Sequence, residues 1–105
     1  MNTGIMVFIT ASTKEEAKSI GSVLVKEKWV ACANVVPAIH SMFHWQGNFC
    51  EENEVLLICK SLNYKLDGII DRVRQLHSYD VPEIIALPIA GGSEEYLEWL
   101  KASVT

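Results

Sequence analysis

Residues Gly4 to Thr10 read GIMVFIT, a run without polar alternation. Consecutive β-branched and large apolar side chains suit a strand covered on both faces, and hence a central place in a sheet. The next segment limits how that cover can be supplied. Ser12-Thr13-Lys14-Glu15 reads as a capping box, and Ala17, Ile20 and Leu24 follow at helical spacing, which predicts a first helix from about Thr13 to about Lys28. One helix covers at most part of one sheet face.

Val30 to Val36 (VACANVV) is strand-like. Pro37 interrupts it, and Ala38 to Trp45 resumes with β-formers until Gln46-Gly47-Asn48 supplies turn chemistry. A long, locally bent strand leading into a hairpin is expected, with Glu54 to Lys60 (EVLLICK) as the return strand. Asn63 is placed to cap a second helix, whose Leu66, Ile69, Ile70, Val73 and Leu76 share one face. His77 to Glu83 reads as a loop and Ile84 to Ile89 as a strand. Gly91-Gly92-Ser93 opens a short helix carrying Tyr96, Leu97, Leu100 and Val104.

The order β-α-β-β-α-β with an appended C-terminal helix predicts an α+β, ferredoxin-like antiparallel sheet with two helices on one face. The other face is left bare although the first and last strands are apolar throughout, and the hairpin projects Phe43, Trp45 and Phe49 beyond a small core. An apolar content of 50% over 105 residues fits one domain, residues 1–105, with hydrophobic surface to spare. Oligomerisation is the simplest way to bury it.

Composition removes several function classes. No apolar run reaches the roughly 18 residues needed to span a bilayer, so no membrane partner is expected. The N-terminus has no basic region followed by an apolar stretch and a small-residue cleavage site, which predicts a cytoplasmic setting. A net charge of −4 is the wrong sign for neutralising phosphates, so nucleic acid is not expected either. An RNA-recognition domain on this topology needs exposed aromatics and basic flanks, which GIMVFIT and EVLLICK lack. An acyl-phosphate hydrolase needs an arginine in the loop after the first strand, and Thr10-Ala11-Ser12-Thr13 has none. A trimeric ligand sensor needs only clefts between subunits and polar loops.

The segment His77-Ser78-Tyr79-Asp80-Val81-Pro82-Glu83 gathers an imidazole, a phenol and two carboxylates before a strand. Three readings are open: divalent-cation binding through His77, Asp80 and Glu83; acid–base work by His77 with a carboxylate; and turn structure, with His77 capping the second helix. The acid–base reading lacks a nucleophile or an organic cofactor site, so no enzymatic activity is expected. His40 and His44 share a strand face, but about 13 Å apart at the strand rise, too far for one metal ion. Cys32, Cys50 and Cys59 have no C-x-x-C spacing, which disfavours a disulfide framework or a zinc knuckle. Cys32 and Cys59 are expected in the core, with Cys50 the exposed thiol; as thiolates any of them would select copper or zinc.

Across Ala31-Cys32-Ala33-Asn34-Val35-Val36-Pro37, Phe43-His44-Trp45-Gln46-Gly47, Glu54-Val55-Leu56-Leu57, Leu76-His77-Ser78-Tyr79-Asp80-Val81-Pro82-Glu83-Ile84-Ile85-Ala86-Leu87-Pro88 and Tyr96-Leu97-Glu98-Trp99-Leu100, the sequence resembles the CutA divalent-cation-tolerance family. The resemblance implies a ferredoxin-like subunit in a homotrimer similar to the PII signalling proteins, a cytoplasmic setting and a link to copper and other divalent cations. Some members of that family are assigned a copper site built from a first-strand cysteine and two adjacent histidines. Here those positions hold Ile9, Leu76 and His77, so His77 alone carries over, with Cys32, Asp80 and Glu83 as further candidate metal ligands. Phe43, Trp45, Phe49 and Tyr79 are the candidate interface or ligand-cleft residues. The expected function is divalent-cation tolerance through copper or another divalent metal, and the alternative is a PII-like small-ligand module acting through a partner protein.

Overall fold

The computed structural model describes residues 3–105. The elements run β1 (Gly4–Ala11), α1 (Lys14–Lys26), β2 (Cys32–Trp45), β3 (Asn48–Leu62), a 3-10 turn (Asn63–Lys65), α2 (Leu66–Leu76), β4 (Ile84–Pro88) and α3 (Glu94–Val104). The four strands form one antiparallel sheet in the order β2-β3-β1-β4. This is the ferredoxin-like βαββαβ arrangement with an appended helix, and β1 is central in it.

Alternation along β1 divides its two faces. Ile5, Val7 and Ile9 are buried with Ile20 and Leu24 of α1, Leu57 and Cys59 of β3, and Ile69 and Val73 of α2. Full burial of each large apolar side chain contributes about 1.5–3 kcal/mol, which makes this layer the main source of stability. Met6 and Phe8 point the other way and are only half-buried. Their neighbours on that open face include Ile58 of β3 and Ile85 and Leu87 of β4, the last two 51% exposed. α3 reaches only one end, where Leu100 and Val104 pack with Ala31 and Leu62.

The hairpin is longer than expected. β3 begins at Asn48, six residues before Glu54, and its first residues pair with β2 alone. Gln46 and Gly47 close it with φ of 51° and 82°, the two left-handed conformations of a type I′ turn, whose twist matches that of the strands. Pro37 bends β2 without ending it: the register slips between Val36, opposite Leu56, and Ile39, opposite Glu54. The slip inverts the parity of β2, so Ser41, Phe43 and Trp45 continue the open face begun by Cys32, Asn34 and Val36.

Two local expectations need correction. The cap of α1 is one residue later than the Ser12–Glu15 frame, with the Thr13 hydroxyl accepting the Glu16 N–H at 3.1 Å and the Glu16 carboxylate reaching back to Ser12. Asn63 does not cap α2, because it opens the intervening 3-10 turn and accepts a bond from the Thr3 N–H at 3.0 Å.

Candidate functional site

A groove of about 820 Å³ lies where the base of the hairpin meets the loop between α2 and β4. One wall is Phe43 and Trp45 of β2 with Glu52 of β3; the other is Tyr79, Asp80, Val81 and Glu83 of the loop; Thr10 and Glu54 also line it. Its four carboxylates, Glu52, Glu54, Asp80 and Glu83, face no Lys or Arg among the lining residues. Such a concavity focuses negative potential and attracts cations.

Hydrogen bonds fix the loop wall. His77 has a fully buried side chain. Its Nε2–H donates to the Thr10 carbonyl at 2.7 Å, and its Nδ1 accepts the Tyr79 N–H at 3.0 Å. The pair of bonds requires the neutral tautomer protonated on Nε2. Glu16 anchors the same loop from α1, accepting the Ser78 N–H on Oε2 at 2.8 Å. Partial burial pushes the Glu16 carboxyl up, but the bonds from Ser78 and Ser12 outweigh it and hold it below its ordinary range.

The Tyr79 hydroxyl donates to Oε2 of Glu54 at 2.9 Å, joining the loop to the base of the hairpin. Burial, and then the Glu54 carboxylate, push the Tyr79 phenol up to about 12, so it stays a donor through the neutral range. Glu54 itself is only 9% exposed.

The residues singled out in the sequence separate into three places. Tyr79, Asp80, Glu83, Phe43 and Trp45 meet at the groove. His77 stands behind it with both ring nitrogens committed, and it caps no α2 carbonyl through its side chain, because that side chain turns to β1. Ligating a metal would cost it one of those bonds. Cys32 sits elsewhere on the open face, opposite Lys60, four β3 positions and roughly 13 Å from the Leu56 that faces Thr10. It is half-exposed rather than core, with its sulfur 3.7 Å from the Tyr96 hydroxyl. Phe49 lies on the opposite face of the ribbon from Phe43, edge-on to His44 at 6.0 Å. Cys50 lines the groove, and Cys59 is buried, its thiol pushed up to about 12 chiefly by that burial.

Among the described residues, no three or more His, Cys, Asp or Glu side chains are placed to hold a metal ion. His77, Cys32, Asp80 and Glu83 therefore do not form a metal cage within one subunit. Glu16, Glu52 and Glu54 were missed in the sequence. Glu54 had a readable signal, a carboxylate in phase with Leu56 and Ile58 on one face of β3; Glu16 was hidden by the misplaced cap.

Comparison with known proteins adds a family to this geometry. Residues 5–103 match the family described as CutA1 divalent ion tolerance protein. The chain is 45% identical over 96 residues to the divalent-cation tolerance protein CutA of Thermus thermophilus, covering 91% of this chain and 93% of that one. It is 46% identical over 99 residues to the chloroplastic protein CutA of Arabidopsis thaliana, covering 94% of this chain and 54% of the relative. The chain thus spans about half the length of that plant protein. The crystal structure of CutA1 from Oryza sativa superposes with a TM-score of 0.95 at 44% identity, covering 98% of this chain and 94% of that one.

Proposed function

The chain belongs to the CutA1 divalent-ion tolerance family, and from that premise we propose that it is a non-catalytic, cytoplasmic homotrimer that binds copper or another divalent cation in clefts between subunits. The observation that carries the reading is the groove, with four carboxylates and no basic side chain in its lining. Carboxylate oxygens suit divalent cations, and at a given oxygen or nitrogen site copper(II) binds tightest of the first-row ions. Asp80 and Glu83, on the outer loop wall, are the ligands this subunit offers; a neighbouring subunit supplies the rest. The trimer draws its support from the half-bare apolar face, including Ile85, Leu87, Phe43 and Trp45, a patch of a kind that monomers rarely leave in water.

Calorimetric titration with copper(II) and manganese(II) tests the cation half of the proposal. Saturable binding that weakens about tenfold or more in Asp80→Asn and Glu83→Gln is expected. Unchanged binding in both variants would remove the groove as the site.

A second reading, a PII-like small-ligand module acting through a partner protein, is favoured by the size of the groove. About 820 Å³ is far more room than one metal ion fills and lies within the range of small-molecule sites.

A further inference from the structure

We propose that His40 is a pH-sensitive latch on the ribbon that carries the hairpin beyond the sheet, closed while the imidazole is protonated and released when it is neutral. The latch is independent of the cation reading, because His40 and its two partners line no part of the groove.

The ribbon is a place where such a device can act. Residues 39–45 of β2 pair with residues 48–54 of β3, and β1 pairs with neither stretch, since its ladder stops at Val55. A two-stranded ribbon has no third strand to steady it and is marginally stable by itself, so its opening depends on a few cross-strand side-chain pairs.

Three side chains meet on the face of the ribbon away from Phe43 and Trp45. His40 lies directly opposite Asn53, and Glu51 is its diagonal neighbour, opposite Met42. Nε2 of the imidazole is 2.9 Å from Oε1 of Glu51, and Nδ1 is 3.3 Å from Oδ1 of Asn53. Both ring nitrogens thus face oxygen atoms. Only the imidazolium donates from both at once; the neutral ring leaves one nitrogen as an acceptor and withdraws the charge that pairs with Glu51.

Nothing else near His40 competes for this role. Among the described residues, no side chain outside β3 forms a hydrogen bond or ion pair with it. His44 shares the face but stands edge-on to Phe49, and Glu52 and Glu54 belong to the opposite, groove face. The helix packed on β2, α1, meets that strand at Gly21 and Ala33, on the sheet side of the Pro37 bend. The bond to Glu51, and then that to Asn53, outweigh the small loss of hydration and raise His40 above the ordinary imidazole value. A raised histidine adds stability that is fully present below the unfolded value of about 6.5 and is lost as pH rises through the higher folded value. The latch therefore closes in mild acid and opens in mild alkali. Ser41, Phe43 and Trp45 of the same strand line the groove, so closing it steadies one wall of that groove.

The test follows the ring C–H resonances of His40 through an NMR pH titration, and amide hydrogen exchange of residues 39–45 and 48–54 at pH 6 and pH 9, in wild type and in Glu51→Gln. Glu51 is half-exposed, so its variant leaves the core intact. Comparing the two proteins at one pH removes the intrinsic pH dependence of exchange. The His40 midpoint should be lower in the variant. Ribbon amides should exchange about two- to fivefold more slowly in wild type than in the variant at pH 6, the effect of one exposed ion pair, with the difference gone at pH 9. The same midpoint in both proteins, equal exchange at pH 6, or a difference that persists at pH 9 would overturn the latch.

Discussion

The hydroxyl of Tyr79 bonds Oε2 of Glu54 at 2.9 Å, tying residues 25 positions apart, one on the loop before β4 and one at the base of the hairpin. Because burial and Glu54 together push the phenol up to about 12, removing the carboxylate charge should bring it back toward an ordinary tyrosine value. Ultraviolet difference titration of wild type and Glu54→Gln checks this. An unchanged Tyr79 ionisation in the variant would mean that burial alone sets the shift.

Glu16 makes the stability of the loop depend on pH. Its carboxyl is held below its ordinary range, so the stabilisation is present above the unfolded value of about 4.3 and is lost as pH falls through the lower folded value. Glu16→Gln should therefore be less stable than wild type at neutral pH, with the gap closing in acid. Urea denaturation between pH 7 and pH 3 measures it, and a gap independent of pH would contradict the assignment.

Gly68 lies under the ring of Trp29, and a Cβ there would collide with its six-membered edge. Trp29 cannot swing away freely, because its indole N–H donates to Glu27 and its carbonyl accepts from Ser61. In an unobstructed helix Gly→Ala gains up to about 1 kcal/mol, whereas overpacking costs about 1–3 kcal/mol. Gly68→Ala should come out destabilised by about 1 kcal/mol in thermal or chemical denaturation. A stabilised variant would show that the ring yields.

Cys59 is fully buried and its thiol is pushed up to about 12, so thiolate chemistry at neutral pH should pass it by. Labelling with a thiol reagent followed by mass spectrometry should find Cys59 unmodified in native protein and modified in denaturant. Native labelling at Cys59 at the rate of Cys50 would contradict the packing of β3.

The elements and their order were legible because their signals are local: the apolar run of β1, the helical spacing in α1 and α2, and the Gln46-Gly47 turn. The bare sheet face was legible too, by counting the helices available to cover it. The site was only half legible. Tyr79, Asp80 and Glu83 announce themselves as a polar cluster in seven residues, and the motif suggested His77 as a ligand. Its role behind the groove depends on a carbonyl of β1 that lies 67 positions away. Glu54 enters the groove through strand register and Glu16 through a helix cap set one residue later than it reads. Such pairings are set by tertiary geometry rather than local sequence.

The proposed trimer buries the open face, from Ile85 and Leu87 across Met6 and Phe8 to Phe43 and Trp45, between copies of this chain and makes the groove a cleft between subunits. Multi-angle light scattering of the purified protein tests it most directly. A mass near three times the 11.7 kDa chain, stable on dilution to micromolar concentration, is predicted. A stable single-chain mass would rule the trimer out.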